Sequence, residues 1–267
     1  MYAFQYRKAK TLKEAGELLA RDEEAKPMSG GMTLLPTLKA RLAQPTQLID
    51  ISGLSELSGI EVKGGELIIG AATRHQQVAA SIVVRDVLPA LAALADHIAD
   101  PQVRNRGTLG GSVANNDPAA DYPAAVLGLN ARIITTKREI AAEDFFQGMF
   151  ATALEAGELI VRIAFPLPKK AAYAKFPHPA SGYAMAGVFI AQTAAGVRVA
   201  VTGAGAGVFR WGDAEQALTK KMDAAALEKL TLAADDLNED IHGTREYRAQ
   251  LVKVMAGRAV AAIAGKN

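Results

Sequence analysis

The stretch "SGGMTLLPTLKARL" (residues 29–42) sets two adjacent glycines and a threonine directly ahead of a run with helical spacing. Glycine lets backbone come close to a ligand, and free N–H groups at the start of a helix favour negative charge. A plain tight turn between strand and helix also likes glycine, so the stretch alone leaves both readings open. Working outward, "AKPM" upstream reads as a short strand and "QLIDI" (47–51) downstream as another. Pro36 suits a first helical turn, with Leu34, Leu35, Leu38 and Leu42 as its apolar side. Before them, "TLKEAGELLA" (11–20) has Thr11 and Glu14 at capping-box spacing and an apolar face of Leu12, Ala15, Leu18 and Leu19. The first fifty residues therefore read as a small βαβ-type unit with the glycine loop between strand and helix.

A second glycine pair changes the balance. "RNRGTLGGS" (104–112) repeats the design, with Thr108 and Ser112 able to donate hydrogen bonds beside Gly110 and Gly111. It lies too far along the chain to share a turn with the first, but two such loops can clamp one pyrophosphate. Downstream, "NNDPAAD" supplies Asn115, Asn116, Asp117 and Asp121, groups suited to ribose or ribityl hydroxyls. Two phosphate-type loops and a polyol-type acid point to a dinucleotide. By contrast, "TGAGAGV" (202–208) only imitates a Rossmann fingerprint: Val208 stands where the third glycine belongs, and too little chain follows. It reads as a hairpin or strand-end turn.

The rest of the chain supports an α+β fold. "GGELIIGAAT" (64–73), "ARIITT" (131–136) and "GELIVRIAFP" (157–166) have strand character, and "LPALAALADHIA" (88–99) reads as an amphipathic helix started by Pro89. The segment 100–129 is too rich in Gly, Asn, Asp and Pro to be regular throughout. "PLPKKAAY" (166–173) reads as a linker with a solvated lysine pair, placing a break near residue 170. Beyond it, "YAKF", "YAMAGVFIAQT" and "VRVAVTGAG" suggest a three-stranded meander, followed by two or three helices ending in "TREYRAQLVKVMAGRAVAAIA".

Of the 267 residues, 50% are hydrophobic and 22% charged, and 30 basic against 28 acidic residues leave a net charge of +2. That is an ordinary globular composition with no basic block, so no nucleic-acid surface is indicated. There are 0 cysteines, which excludes disulfides, thiolate nucleophiles and iron–sulfur ligation by this chain. The N-terminal "MYAFQYRKAK" has no apolar signal core and no run is long enough to span a bilayer, so a cytoplasmic protein that is not integral to a membrane is expected. His75, His97, His178 and His242 show no metal-ligand spacing, Trp211 reads as packing, and no serine elbow appears. The lack of ordinary acids, bases and nucleophiles suits a protein whose cofactor carries the chemistry.

With both glycine loops in view, the chain resembles the FAD-binding medium subunit of the molybdenum hydroxylases, the family of carbon monoxide, xanthine and related dehydrogenases. "KPMSGGMTLLPTLKARL", "VRNRGTLGGSVANNDPAADYPAA", "GELIVRIAFP" and "YAKFPHPASGYAMAGV" carry the resemblance, which covers essentially the whole chain. "VAVTGAGAGVFR" and "HPASGYA" look closest to the carbon monoxide dehydrogenase-like branch. It implies a vanillyl-alcohol-oxidase-type (PCMH-type) FAD-binding domain over 1–168, in subdomains of about 1–55 and 56–168. A C-terminal α/β domain over 172–267 would follow, with a three-stranded antiparallel sheet and helices.

By the same resemblance the pyrophosphate is held by Ser29, Gly30, Gly31, Met32 and Thr33, with Lys26, Pro27 and Met28 leading in. The second loop maps onto Thr108, Leu109, Gly110, Gly111 and Ser112, and Asp121 onto a ribityl-contacting acid. Ile160 matches an aliphatic residue beside the cofactor, Lys175 a lysine near the flavin, Ile98 an apolar neighbour of the isoalloxazine, and Tyr183 a tyrosine covering one flavin face. Met32 stands where the family usually has a polar residue, so contact there is expected through backbone. Gly182 replaces an acid that some members carry near the flavin, which argues against NAD as acceptor.

The implied role is an oxidoreductase subunit that takes electrons from [2Fe-2S] clusters on a small partner and passes them to a quinone, NAD or another acceptor. Molybdopterin would lie on a large partner, in a dimer of heterotrimers. A stand-alone flavin oxidoreductase, with His178 as the nearby base, and a non-enzymatic nucleotide-binding assembly module are the alternatives.

Overall fold

The computed structural model describes residues 1–265. Strand β1 (Gln5–Lys8) leads into helix α1 (Leu12–Arg21), whose start is fixed by the Thr11 hydroxyl accepting from the Glu14 N–H at 3.1 Å. Such a cap contributes about 1 kcal/mol. Strand β2 (Lys26–Met28), helix α2 (Leu34–Lys39) and strand β3 (Gln47–Asp50) follow. The three strands pair in parallel in the order β1-β3-β2, with Met28 opposite Asp50. Strand β1 has no counterpart in the sequence reading, because all four of its residues are exposed and leave no alternation to read.

Strands β4 (Ile60–Lys63) and β5 (Glu66–Gly70) begin a second layer. Helices α3 (His75–Ala80), α4 (Ile82–Val87) and α5 (Pro89–Asp96) come next. Helix α5 begins at Pro89 as expected and is two-sided: Ala90, Leu91, Ala92, Leu94 and Ala95 are buried, while Pro89, Ala93 and Asp96 form an exposed stripe.

The segment expected not to be regular throughout holds three short helices, α6 (Pro101–Arg106), α7 (Leu109–Asn115) and α8 (Tyr122–Gly128), separated by irregular stretches at 107–108 and 116–121. Local caps set where the helices start. The Asp100 carboxylate accepts from Val103 N–H at 2.8 Å, and the Thr108 hydroxyl accepts from Gly111 N–H at 3.3 Å. Strands β6 (Arg132–Thr135) and β7 (Glu139–Ala141), helix α9 (Ala142–Phe145), the hairpin β8 (Phe146–Gly148)–β9 (Ala151–Thr152) and strand β10 (Ile160–Pro166) complete this layer. Its sheet is antiparallel in the order β4-β5-β10-β6-β7.

The remaining chain forms an antiparallel sheet of β11 (Lys170–Pro177), β12 (Ala184–Thr193), β13 (Gly196–Thr202) and β14 (Phe209–Arg210), covered by α10 (Gly212–Lys220) and α11 (Arg245–Ile263). The expected three-stranded meander thus gains a two-residue fourth strand. The expected linker is shorter than 166–173, since strand β11 starts at Lys170, whose ammonium donates to the Ile263 carbonyl at 3.2 Å. The "TGAGAGV" run is the turn after β13, tied down by Gly203 N–H donating to the Pro118 carbonyl at 2.8 Å.

Strand β12 is buried on both faces, and its two-residue period sorts its side chains between two cores. Phe189 and Ala191 join the core around Leu91, Tyr122 and Phe165, while Val188 and Ile190 join the core around Trp211, Val252 and Met255. A third core, around Ile49 and Leu57, lies under the parallel sheet. The C-terminal sheet is therefore packed directly on the middle layer. Among the described residues no helix is long and apolar enough to cross a membrane.

Candidate functional site

A cleft of about 940 Å³ opens where the parallel sheet, the middle layer and the C-terminal sheet meet. That volume is near the top of the range of small-molecule sites, about 300–1,000 Å³, and suits an extended ligand. One wall is the first glycine loop, with Lys26, Pro27 and Met28 leading into Ser29, Gly30, Gly31, Met32 and Thr33. A second part of the lining is one face of α7 and its cap: Thr108, Gly111, Ser112 and Asn115 recur at helical spacing and all line the cleft. Ile98 and Ala99 come from the α5–α6 connection, Ile160 from β10, and Ser181, Gly182 and Tyr183 from the loop before β12.

The two loops touch each other. A side chain on Gly30 would place its Cβ 2.0 Å from the Arg106 carbonyl oxygen and 2.8 Å from the Gly107 Cα. Thr108 closes the contact by donating to the Ser29 hydroxyl at 3.2 Å. The first pair of glycines thus serves loop-on-loop packing as well as the approach of a ligand.

Their backbone donors differ. Among the described residues, the N–H groups of Gly30, Gly31, Met32 and Thr33 donate no intramolecular hydrogen bond. The second loop has spent its own: Leu109 N–H donates to Thr73 O at 3.0 Å, Gly110 to Ala71 O at 2.8 Å, Gly111 to the Thr108 hydroxyl and Ser112 to Thr108 O. Four amides in one loop with no partner in the protein, in residues that line the cleft, are free to donate to an acceptor bound there. They fit a diphosphate, and the adjoining hydroxyl, amide and carboxylate groups of Ser112, Asn115 and Asp117 fit sugar hydroxyls.

Three of the sequence-predicted residues, Leu109, Lys175 and Asn116, lie off the cleft surface. Leu109 is fully buried in the middle core. Lys175 sits behind the cleft with its side chain 5% exposed, its ammonium 3.0 Å from Asp121 Oδ2 and 3.1 Å from the His97 carbonyl. Asp121 does line the cleft, but both its oxygens are engaged, Oδ1 by the Tyr173 hydroxyl at 2.5 Å. Burial raises the Asp121 carboxyl above the ordinary carboxylate value, against the opposing pull of Lys175 and Tyr173. Asn116, expected among the sugar contacts, is instead buried: its amide donates to the Gly148 and Ala151 carbonyls at 2.7 and 2.8 Å and clamps the β8–β9 hairpin.

Sequence reasoning missed His75 and Phe150, which also line the cleft. His75 packs beneath Gly107, and its buried Nδ1 has no hydrogen-bond partner. Burial first, and then Arg104, lowers its pKa to about 4, so the ring is neutral at physiological pH. Phe150 is exposed and adopts a left-handed backbone, φ 55°, with its N–H held by the Asn116 carbonyl at 3.1 Å. Neither has a local sequence signal; only the clamp residue Asn116 lay within a motif already singled out. Tyr183 stands half exposed at the rim, its phenol pushed up by burial and then by Asp117. His178 Nδ1 accepts from the Ala180 and Ser181 N–H groups at 3.2 and 3.3 Å, which leaves the ring proton on Nε2. No cluster of three metal-ligating side chains occurs among the described residues.

Comparison with known proteins agrees with this geometry. The family model for the FAD binding domain in molybdopterin dehydrogenase matches residues 2–168. The nicotine 6-hydroxylase medium subunit of Paenarthrobacter nicotinovorans is 35% identical over 272 residues, covering 97% of this chain and 96% of that protein. The carbon monoxide dehydrogenase medium chain of Afipia carboxidovorans is 34% identical over 277 residues, with 97% and 96% covered. The structure of reconstituted CO dehydrogenase from Oligotropha carboxidovorans superposes with a TM-score of 0.93 at 32% identity, covering 100% of this chain and 99% of that one. Full-length agreement in sequence and fold, over a cleft with unpaired amides at the mapped phosphate loop, places the chain in the family of FAD-binding medium subunits of the molybdenum hydroxylases.

Proposed function

We propose that this chain is the electron-transfer flavoprotein subunit of a cytoplasmic molybdenum hydroxylase, assembled as a dimer of heterotrimers with a large molybdopterin subunit and a small [2Fe-2S] subunit. The observation that carries the reading is the row of four unpaired amides from Gly30 to Thr33, in residues that line a cleft of about 940 Å³. The absence of cysteine leaves cluster ligation to another chain.

In this reading the Gly30, Gly31, Met32 and Thr33 N–H groups hold the FAD pyrophosphate, and Ser29 and Thr108 keep the two loops together. Ser112, Asn115, Asp117 and Asp121 take the sugar and ribityl hydroxyls. Ile98, Ile160 and Tyr183 supply apolar and aromatic cover that excludes water. FAD held by these residues would supply the redox chemistry of a subunit that links iron–sulfur clusters on a partner to an external acceptor.

A stand-alone flavin oxidoreductase needs a base at the cleft. His178 does not serve, because its lone-pair nitrogen is filled by two backbone donors and its other nitrogen bears the proton. The visible spectrum of the purified protein, with identification of what co-purifies, tests the reading. Flavin bands together with a molybdopterin-containing subunit are expected. A colourless protein that takes up no FAD on reconstitution overturns it, and a flavoprotein isolated without any such partner favours the stand-alone enzyme.

A further inference from the structure

Strand β11 places Tyr173 and Lys175 two residues apart, and therefore on one face of the sheet, where both reach Asp121 at the start of α8. The three side chains are buried together: Asp121 is 4% exposed and the Lys175 side chain 5%. The sheet is shaped for this contact. Gly187 pairs with Lys175 across the β11–β12 ladder, and a Cβ on Gly187 would fall 2.4 Å from the Tyr173 hydroxyl. Any side chain there would displace that oxygen.

We propose that Tyr173 is a positioning residue for the cofactor, acting through Asp121: its hydroxyl, with the Lys175 ammonium, fixes the carboxylate as an acceptor-only group presented to a polyol hydroxyl in the cleft. The proposal rests on the FAD-site reading above. It also means that the site is completed from the C-terminal sheet, beyond the stretch matched by the FAD-domain family model.

The chemistry follows from hydrogen-bond valence. An ionised carboxylate accepts at both oxygens and donates at neither, so it matches the O–H donors of a sugar alcohol. Tyr173 and Lys175 each occupy one lone pair of a different oxygen, which fixes the plane of the group and leaves acceptor capacity toward the cleft. Asp121 is faced by Lys175 and Tyr173 from β11, by His97 from the end of α5, by its neighbour Tyr122 on α8 and by Tyr183 from the loop before β12. Lys175, Tyr173 and His97 favour the charged form against burial. Removing the Tyr173 hydroxyl takes away a donor that favours the carboxylate, so protonation of Asp121 moves to higher pH. A protonated Asp121 is a poorer acceptor, so FAD affinity is full above that pH and falls as pH drops through it.

The test strips flavin from the purified assembly and titrates FAD back, following flavin fluorescence between about pH 5 and pH 8. Tyr173→Phe is expected to weaken FAD about five- to tenfold, as for loss of one hydrogen bond to a charged group, and to move the pH midpoint of binding upward. Gly187→Ala should do the same by displacing the hydroxyl. Asp121→Asn should bind weakly with a flat pH profile, and adding Tyr173→Phe to it should change nothing further. An unmoved midpoint in Tyr173→Phe, or a double variant weaker by the product of the two single effects, overturns the proposal. Failure of the unaltered protein to rebind FAD overturns the cofactor reading itself.

Discussion

The two glycine loops look alike in sequence and do different physical work. Residues 29–33 and 108–112 each combine small hydroxyl side chains with a glycine pair, yet the first keeps the amides of residues 30–33 free while the second has bonded all of its own but that of Thr108. The second loop is folded into its surroundings: Leu109 and Gly110 N–H groups bond Thr73 and Ala71, and Thr108 caps α7. Its cleft-facing contribution is therefore side-chain hydroxyls and the helix face that follows. The lesson is that a glycine pair signals close backbone approach, while the identity of the approaching group is settled by where the amides point. At the first loop one approaching group is the backbone of Arg106 and Gly107, and the loop also lines the cleft.

The sharpest way to break this comparison is to add one methyl group to each loop. Gly30→Ala drives a Cβ into the backbone of Arg106 and Gly107, atoms that cannot rotate away. A stability loss of about 4 kcal/mol and loss of flavin loading are expected, read by thermal melting and by flavin content after purification. Gly111→Ala meets only the Thr108 hydroxyl, at 2.8 Å. The weakened cap opposes the better helix propensity of alanine, each worth about 1 kcal/mol, so the net change stays within about 1 kcal/mol. Equal losses in the two variants would show that the loops are interchangeable after all.

His75 sharpens the comparison from beneath. Its ring supports Gly107, since a Cβ on that glycine would lie 2.6 Å from His75 Nε2, and Gly107 in turn supports Gly30. Burial lowers the imidazole pKa from 6.5 to about 4, so the unfolded chain takes up the proton first as pH falls. The resulting stability is complete above the unfolded value and is lost between pH 6.5 and about 4. At ~1.4 kcal/mol per tenfold change in proton affinity, the loss is roughly 3 kcal/mol. Melting temperature followed across that window should fall steeply, and His75→Gln should flatten the fall while lowering stability near neutrality. A variant as acid-sensitive as the parent would remove His75 as the cause.

Much of this was legible beforehand because it was written locally. Thr11, Pro89 and Thr244 mark helix starts where the structure has them, and both loops were marked by glycine beside Ser or Thr. What stayed hidden depends on residues far apart in the chain. Asp121 reads as a sugar contact from its motif, but its partners Tyr173 and Lys175 lie 52 and 54 residues on, in a strand whose pattern says only that it is half buried. The consumption of the second loop's amides by Ala71 and Thr73 is likewise a tertiary fact. Segment 100–129 was read only as not regular throughout, and its three short helices were hidden for a different reason: each has its own cap or proline, and together they average to a loop-like composition.

The smallest expected effect is at Met32, where the resemblance leads one to expect a polar side chain and the sequence supplies a thioether. Its N–H is among the four unpaired amides, and its side chain is only partly buried at the cleft. If the loop binds through backbone, Met32→Ala keeps every donor and removes only apolar contact. FAD affinity should then change by no more than about threefold, and stability by about 0.5 kcal/mol. Met32→Pro is the complementary change, because it deletes the N–H at the same position. A large loss in the alanine variant would assign the side chain a role, and an unaffected proline variant would remove this amide from the anion site. Together they separate backbone recognition from side-chain recognition at the one position where sequence and family pattern part.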